Sequence, residues 1–139
     1  MKNINEISKK EVGFLGENVT CAFLERRGYD IVARNYSKKC GELDIVAKKE
    51  GALHFVEVKS VSCSKLPENS EKSVMYASFT PEENVNAKKI SRIRKTVQLF
   101  MNDSNLSLEE SDWFFHVAAV YLKFPERVGR VFFMEHQVL

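Results

Sequence analysis

No stretch of this 139-residue sequence approaches the run of about 20 apolar residues that spans a bilayer, and the first ten residues, MKNINEISKK, lack the apolar core of a secretory signal. The chain reads as cytoplasmic, with no membrane partner. Cysteine is scarce and scattered: Cys21, Cys40 and Cys63 are odd in number and contain no CxxC pair, which argues against a disulfide framework or a structural zinc site. His54, His116 and His136 offer neither HExxH nor a pair at helical spacing, so the pattern of a zinc enzyme is missing as well. An excess of one charge is absent too. The 21 basic and 19 acidic residues leave a net charge of +2, so bulk attraction to nucleic acid is not implied and any such site must be local. An apolar share of 44% and a charged share of 29% are the balance of a packed protein rather than of a disordered tail or a collagen-like rod. The length suits a single domain over residues 1–139.

Ser8 to Glu11 has the S-x-x-E form of a capping box, flanked by Ile7 and Val12 at the positions of a hydrophobic staple. A helix is predicted from Lys9 to Arg27, stopping at Gly28. Leu15, Val19, Ala22 and Phe23 form one apolar stripe; Phe14, Cys21 and Leu24 form a second, nearly opposite. Glu17 falls within the second stripe. A carboxylate among apolar neighbours is costly unless something pairs with it, which makes Glu17 a candidate site residue. A structural role, capping a backbone group or pairing with Arg27, competes with that reading.

Three strands are expected next, over Tyr29 to Tyr36, Glu42 to Lys49 and Leu53 to Ser60. The last two should form a hairpin turning at Glu50 and Gly51, because that register puts Leu43, Ile45 and Ala47 on one apolar face with Val56 and Val58. It also sets Asp44 opposite Glu57, and Glu42 opposite Lys59. Two carboxylates about 5 Å apart repel by roughly 3 kcal/mol at an effective dielectric of 20, and a sheet tolerates the pair when a cation lies between them. Mg²⁺ binds through one or two carboxylates completed by water and substrate phosphates, so Asp44 and Glu57 are candidate ligands, with Lys59 one pleat repeat from Glu57. The plainer alternatives are exposed strand residues near an open edge for the two acids, and a cross-strand ion pair with Glu42 for Lys59.

A polar stretch over 62–80 reads as a mobile loop near the site. Thr80, Pro81 and Glu83 signal a second helix reaching about Asn102, with Ile90, Ile93, Val97, Phe100 and Met101 as its apolar stripe. Lys88, Arg92 and Lys95 project from the other side, flanked by Lys89 and Arg94. Five basic residues without an intervening acid form either a solvated face or a nucleic-acid contact. Two further strands are expected over Trp113 to Leu122 and Val131 to Glu135. His54 and His136 should lie on strand surfaces, and Cys21 in the core.

The order helix, three strands, helix, two strands, with an acid on the first helix, Asp44 on the second strand and Glu57-Val58-Lys59 on the third, resembles the restriction-endonuclease-like, or PD-(D/E)xK, nuclease fold: an α/β core with a mixed sheet flanked by helices. Gly16-Glu17, Gly41-Glu42-Leu43-Asp44-Ile45-Val46-Ala47 and Phe55-Val56-Glu57-Val58-Lys59 look like the YraN-like bacterial family, and the resemblance continues through Pro81 to Met101 and the strand ending Val117-Ala118-Ala119-Val120. It implies metal-dependent phosphodiester cleavage of DNA, with Asp44 and Glu57 holding Mg²⁺ (Mn²⁺ as a substitute), Lys59 orienting or activating the attacking water, and Glu17 binding a second ion or a metal-bound water. Related folds include resolvases of four-way junctions, which makes branched DNA the leading substrate and a homodimer a suitable assembly. Leu43 stands where the formal motif has proline. His116 stands where the family pattern has an acid. A non-catalytic nucleic-acid-binding adaptor on the same scaffold, acting through Lys88, Arg92 and Lys95, is the alternative reading.

Overall fold

The computed structural model describes residues 8–67, 87–106 and 112–135. The elements follow the predicted order: α1 Lys9–Arg26, β1 Asp30–Lys38, β2 Gly41–Lys49, β3 Ala52–Cys63, α2 Ala87–Asp103, β4 Trp113–Lys123 and β5 Val128–Met134. The strands form one mixed sheet in sequential order, antiparallel throughout except for the parallel β3–β4 pair. A parallel pair needs a long crossover, and α2 lies within it.

Alternate residues of the central strands supply two cores, one under each helix. Leu43, Val46, Phe55, Phe115 and Val117 pack with Ile93, Val97, Phe100 and Met101 of α2. Ile45, Ala47, Val56 and Ala118 pack with Cys21 and Leu24 of α1. Each of the Leu, Ile, Val, Phe and Met side chains contributes about 1.5–3 kcal/mol by leaving water, and this burial seats the two helices on opposite faces of the sheet.

Local signals are realised where they were expected. Ser8 Oγ accepts the Glu11 N–H at 3.1 Å and caps α1. Gly28, at φ 89°, turns the chain just after the Arg27 cap. The β2–β3 hairpin turns at Glu50 and Gly51, both with positive φ (52° and 80°), as a two-residue primed turn requires.

Several expectations are corrected. Phe14 and Ala22 do not join a buried stripe; Phe14 is 59% exposed, because α1 presents a single face, carrying Val12, Gly16, Thr20 and Leu24, to the sheet. Leu43 does not share a face with Ile45 and Ala47 but packs on the α2 side. Across the pairing, Asn35 takes a left-handed φ of 53°, and Tyr36, the partner of Leu43, also lies on the α2 side. The two strands thus leave simple alternation together. Of the stretch expected to be a loop, Ser62 and Cys63 belong to β3, and 68–80 lies outside the described residues, as do the expected helix start at Thr80, Pro81 and Glu83 and His136.

Candidate functional site

The site forms where β2 and β3 part. Their ladder runs from Lys49↔Ala52 to Ile45↔Val56 and stops. The register is the expected one, but Asp44 and Glu57 are not a further rung of it. The Asp44 carboxylate takes the rung's place, Oδ2 accepting the Val58 N–H at 2.8 Å. Glu42 does not meet Lys59: it pairs with Ser37 on β1. The β2–β3 ladder has ended before Glu42, and this end of β2 keeps only its pairing with β1.

Burial, together with the nearby charges of Glu57, Glu17 and Glu42, pushes the Asp44 carboxyl up to about 6, while the Val58 hydrogen bond acts against the rise. Glu57 is the other half of the pair. Its side chain is 17% exposed, and Oε1 meets Lys89 Nζ at 2.9 Å and Lys59 Nζ at 3.4 Å. Its second oxygen, Oε2, is buried with no hydrogen-bond partner. A buried carboxylate oxygen without a donor is costly, and a cation alongside would offset the cost.

Glu17 approaches Asp44 from α1, on the other face of the sheet, and is not among the residues that line the cleft described below. That approach depends on Gly16: a Cβ there would lie 1.7 Å from Ser60 Oγ, so only glycine lets the helix settle this close to β3. Glu17 pairs with Arg34 at 3.9 Å and not with Arg27, which instead stacks its guanidinium over Phe23. The Asn35 amide, oriented with its nitrogen towards the acids, bridges Glu17 Oε1 at 2.8 Å and Glu42 Oε1 at 3.1 Å. Burial raises the Glu17 pKa, with Arg34 and the Asn35 hydrogen bond opposing the rise.

Asp44 and Glu57 both line a cleft of about 360 Å³, and Lys88, Lys89 and Arg92 of α2 line it with them. α2 approaches β2 closely at Gly41, where a Cβ would come within 2.9 Å of Thr96 Oγ1. Glycine at this position brings the basic helix up to the acidic strand ends. Lys88 and Arg92 thus face the cleft, whereas Lys95 is exposed beyond it. Lys89, read from the sequence only as a flanking residue, is a direct partner of Glu57. Helical periodicity carries no signal of its ion pair, because the partner lies on another element.

His54 and His116 lie elsewhere. Neither is on the surface: His54 Nδ1 and His116 Nε2 are 2.8 Å apart inside a stack with Phe114, with Tyr29 and Phe133 against its rings. This corrects the surface placement of His54. His116 is a core residue on β4, and its side chain meets that of His54.

The donor set can be judged against a divalent cation. No three Asp, Glu, His or Cys side chains among the described residues converge tightly enough to hold an ion alone. Two carboxylates are sufficient for Mg²⁺, which keeps water and substrate oxygens in its remaining positions, and the buried Glu57 Oε2 is an oxygen of the hard type that it prefers. The residues therefore fit such an ion, with Asp44 and Glu57 as its holders. No helix among the described residues is long and apolar enough to cross a membrane.

Residues 16–124 match the uncharacterised protein family UPF0102, and the chain belongs to this family. A UPF0102 protein of Campylobacter jejuni is 35% identical over 95 residues, covering 68% of this chain and 72% of the relative. One from Dictyoglomus turgidum is 34% identical over 104 residues, covering 75% and 78%. A third, from Campylobacter fetus, is 38% identical over 89 residues, covering 64% and 67%.

Proposed function

We propose that this UPF0102 chain is a metal-dependent endonuclease of the restriction-endonuclease-like superfamily, acting in the cytoplasm on the phosphodiester bonds of DNA. The observation that carries the reading is the buried, donorless Oε2 of Glu57, beside an Asp44 carboxyl raised to about 6, on one wall of a cleft whose other wall is cationic. Acids that repel each other and are removed from water suit a divalent cation; the facing lysines and arginine suit a polyanion.

Asp44 and Glu57 would hold Mg²⁺, or Mn²⁺ in its place. The ion would supply Lewis-acid polarisation of the phosphate and acidification of a water. Lys59 presents an ammonium beside Glu57, where it can orient the attacking water and offset negative charge developing on the phosphoryl oxygens. Glu17, kept near Asp44 by Gly16, is a further carboxylate that would help hold the ion. Lys88 and Arg92 hold backbone phosphates in the cleft, and Lys95 extends the contact along α2. The substrate proposed is branched DNA, and a homodimer would suit symmetric cutting of a four-way junction.

The test is a Mg²⁺ and Mn²⁺ titration of the purified chain with hairpin, flap, four-way and linear DNAs, with Asp44→Asn in parallel. Metal-dependent cutting, strongest on a branched substrate and lost in Asp44→Asn with the fold retained, is the expected result. Cutting of none of the four overturns the enzyme reading. If binding alone remains and depends on Lys88, Arg92 and Lys95, the chain is a nucleic-acid-binding adaptor.

A further inference from the structure

Lys89 belongs to both walls of the cleft. Its Nζ bonds Glu57 Oε1 at 2.9 Å, and it lines the cleft beside Lys88 and Arg92. Resting on the nuclease reading above, we infer that Lys89 has two stations: counter-ion to Glu57 in the metal-free protein, and phosphate-binding residue once a divalent cation takes that carboxylate.

Charge counting requires a move. At Glu57 one carboxylate already faces two ammoniums, those of Lys59 and Lys89, while Glu17 and Glu42 add their negative charge on the Asp44 side. Adding a dication with both ammoniums in place would leave like charges in contact in a partly buried site. One lysine must withdraw. Their side chains are equally exposed, at 30%, so tether and direction decide between them. Lys59 is two residues from Glu57 on the same strand, and the pleat keeps the two side chains adjacent. Lys89 comes from α2, across the cleft, and withdrawal takes it towards the space that a DNA phosphate would fill.

The chemistry of the side chain suits the exchange. An ammonium on a flexible four-carbon stem carries three donors with no fixed fork, so it can trade a carboxylate oxygen for a non-bridging phosphate oxygen without a particular geometry. It is also an incomplete stand-in for the ion, since Glu57 Oε2 has no partner even with Lys89 bonded to Oε1. Binding of the ion and of the phosphate are thereby linked through one residue: each releases or captures the group that the other displaces.

The experiment uses the full chain and Mn²⁺ alone, without nucleic acid, titrated by calorimetry or by the resonance of free Mn²⁺. Lys89→Met should bind Mn²⁺ roughly threefold to tenfold more tightly than wild type, having lost the competitor, and Lys89→Arg should stay near wild type. In Ca²⁺, Lys89→Met should bind a short branched DNA several-fold more weakly. Lys89→Gln replaces Lys89→Met if the latter melts abnormally. Unchanged or weaker Mn²⁺ binding by Lys89→Met, with wild type binding normally, overturns the first station and leaves the nuclease reading standing. Tighter Mn²⁺ with undiminished DNA binding overturns the second. Mn²⁺ bound by none of the variants overturns both this role and metal dependence.

Discussion

Asp44 accepts the backbone N–H of Val58 through Oδ2 at 2.8 Å, so a side chain of β2 takes over the hydrogen bond that the next backbone rung would have supplied. The carboxyl is held between two strands and away from water. Its raised pKa is a consequence of how the hairpin ends.

That burial sets a pH dependence of stability. The folded protein holds its Asp44 proton up to about 6, whereas the free group releases it near 3.8, so the folded state binds more protons between these values. Stability from this group is therefore fully present below the lower value and is lost as pH rises through the upper one. Asn at position 44 can still accept the Val58 N–H and carries no charge. In urea melts with chelator present, Asp44→Asn should be more stable than wild type by about 1–3 kcal/mol near pH 8, with the gap closing below pH 4. Added Mg²⁺ should stabilise wild type and not the variant.

Gly16→Ala should destabilise the protein by about 1–2 kcal/mol, although alanine is the better helix former by about 1 kcal/mol. The added methyl would overlap Ser60, and α1 must retreat with Glu17. Thermal melts read the loss, and Gly16→Ala combined with Ser60→Gly should recover part of it.

Lys59→Met should lower kcat on the preferred DNA by about 10²–10⁴-fold with a small change in KM, because the charge is needed mainly as the phosphoryl oxygens become more negative. Single-turnover cleavage at saturating Mg²⁺ measures this. A rise in KM alone would make Lys59 a simple binding residue.

Replacing Lys88 or Arg92 by Gln should weaken DNA binding in Ca²⁺ and reduce the slope of log affinity against log salt by about one for each phosphate no longer neutralised. Lys95→Gln should have a smaller effect, because Lys95 lies outside the cleft lining. Equal slopes in all three variants would show that the helix face acts as diffuse charge.

The parts legible in the sequence are those governed by neighbours along the chain. The Ser8 cap and the Glu50–Gly51 turn depend on a few adjacent residues, and the hairpin register follows from that turn plus an apolar pattern. The adjacency of Glu57 and Lys59 along one strand is legible for the same reason, whereas Asp44 does not face Glu57 as a rung because the ladder ends at Ile45 and Val56. Leu43 was misplaced because its face depends on Asn35, across a different strand pair, adopting a positive φ. The His54–His116 pair was hidden because it depends on the parallel register of β3 and β4, which no turn residue encodes. Lys89 was hidden because its partner is on another element.

The acids of the cleft are on the sheet and its bases on a helix packed against that sheet, joined through an apolar layer that includes Leu43, Ile93 and Phe115. On the nuclease reading proposed above, substitutions on the outward turns of α2 would retune which polyanion is gripped, and how firmly, without touching the strand ends that face it. The contacts that would choose a target and the groups that would act on it thus sit on separate elements of the fold, and each is open to change without the other.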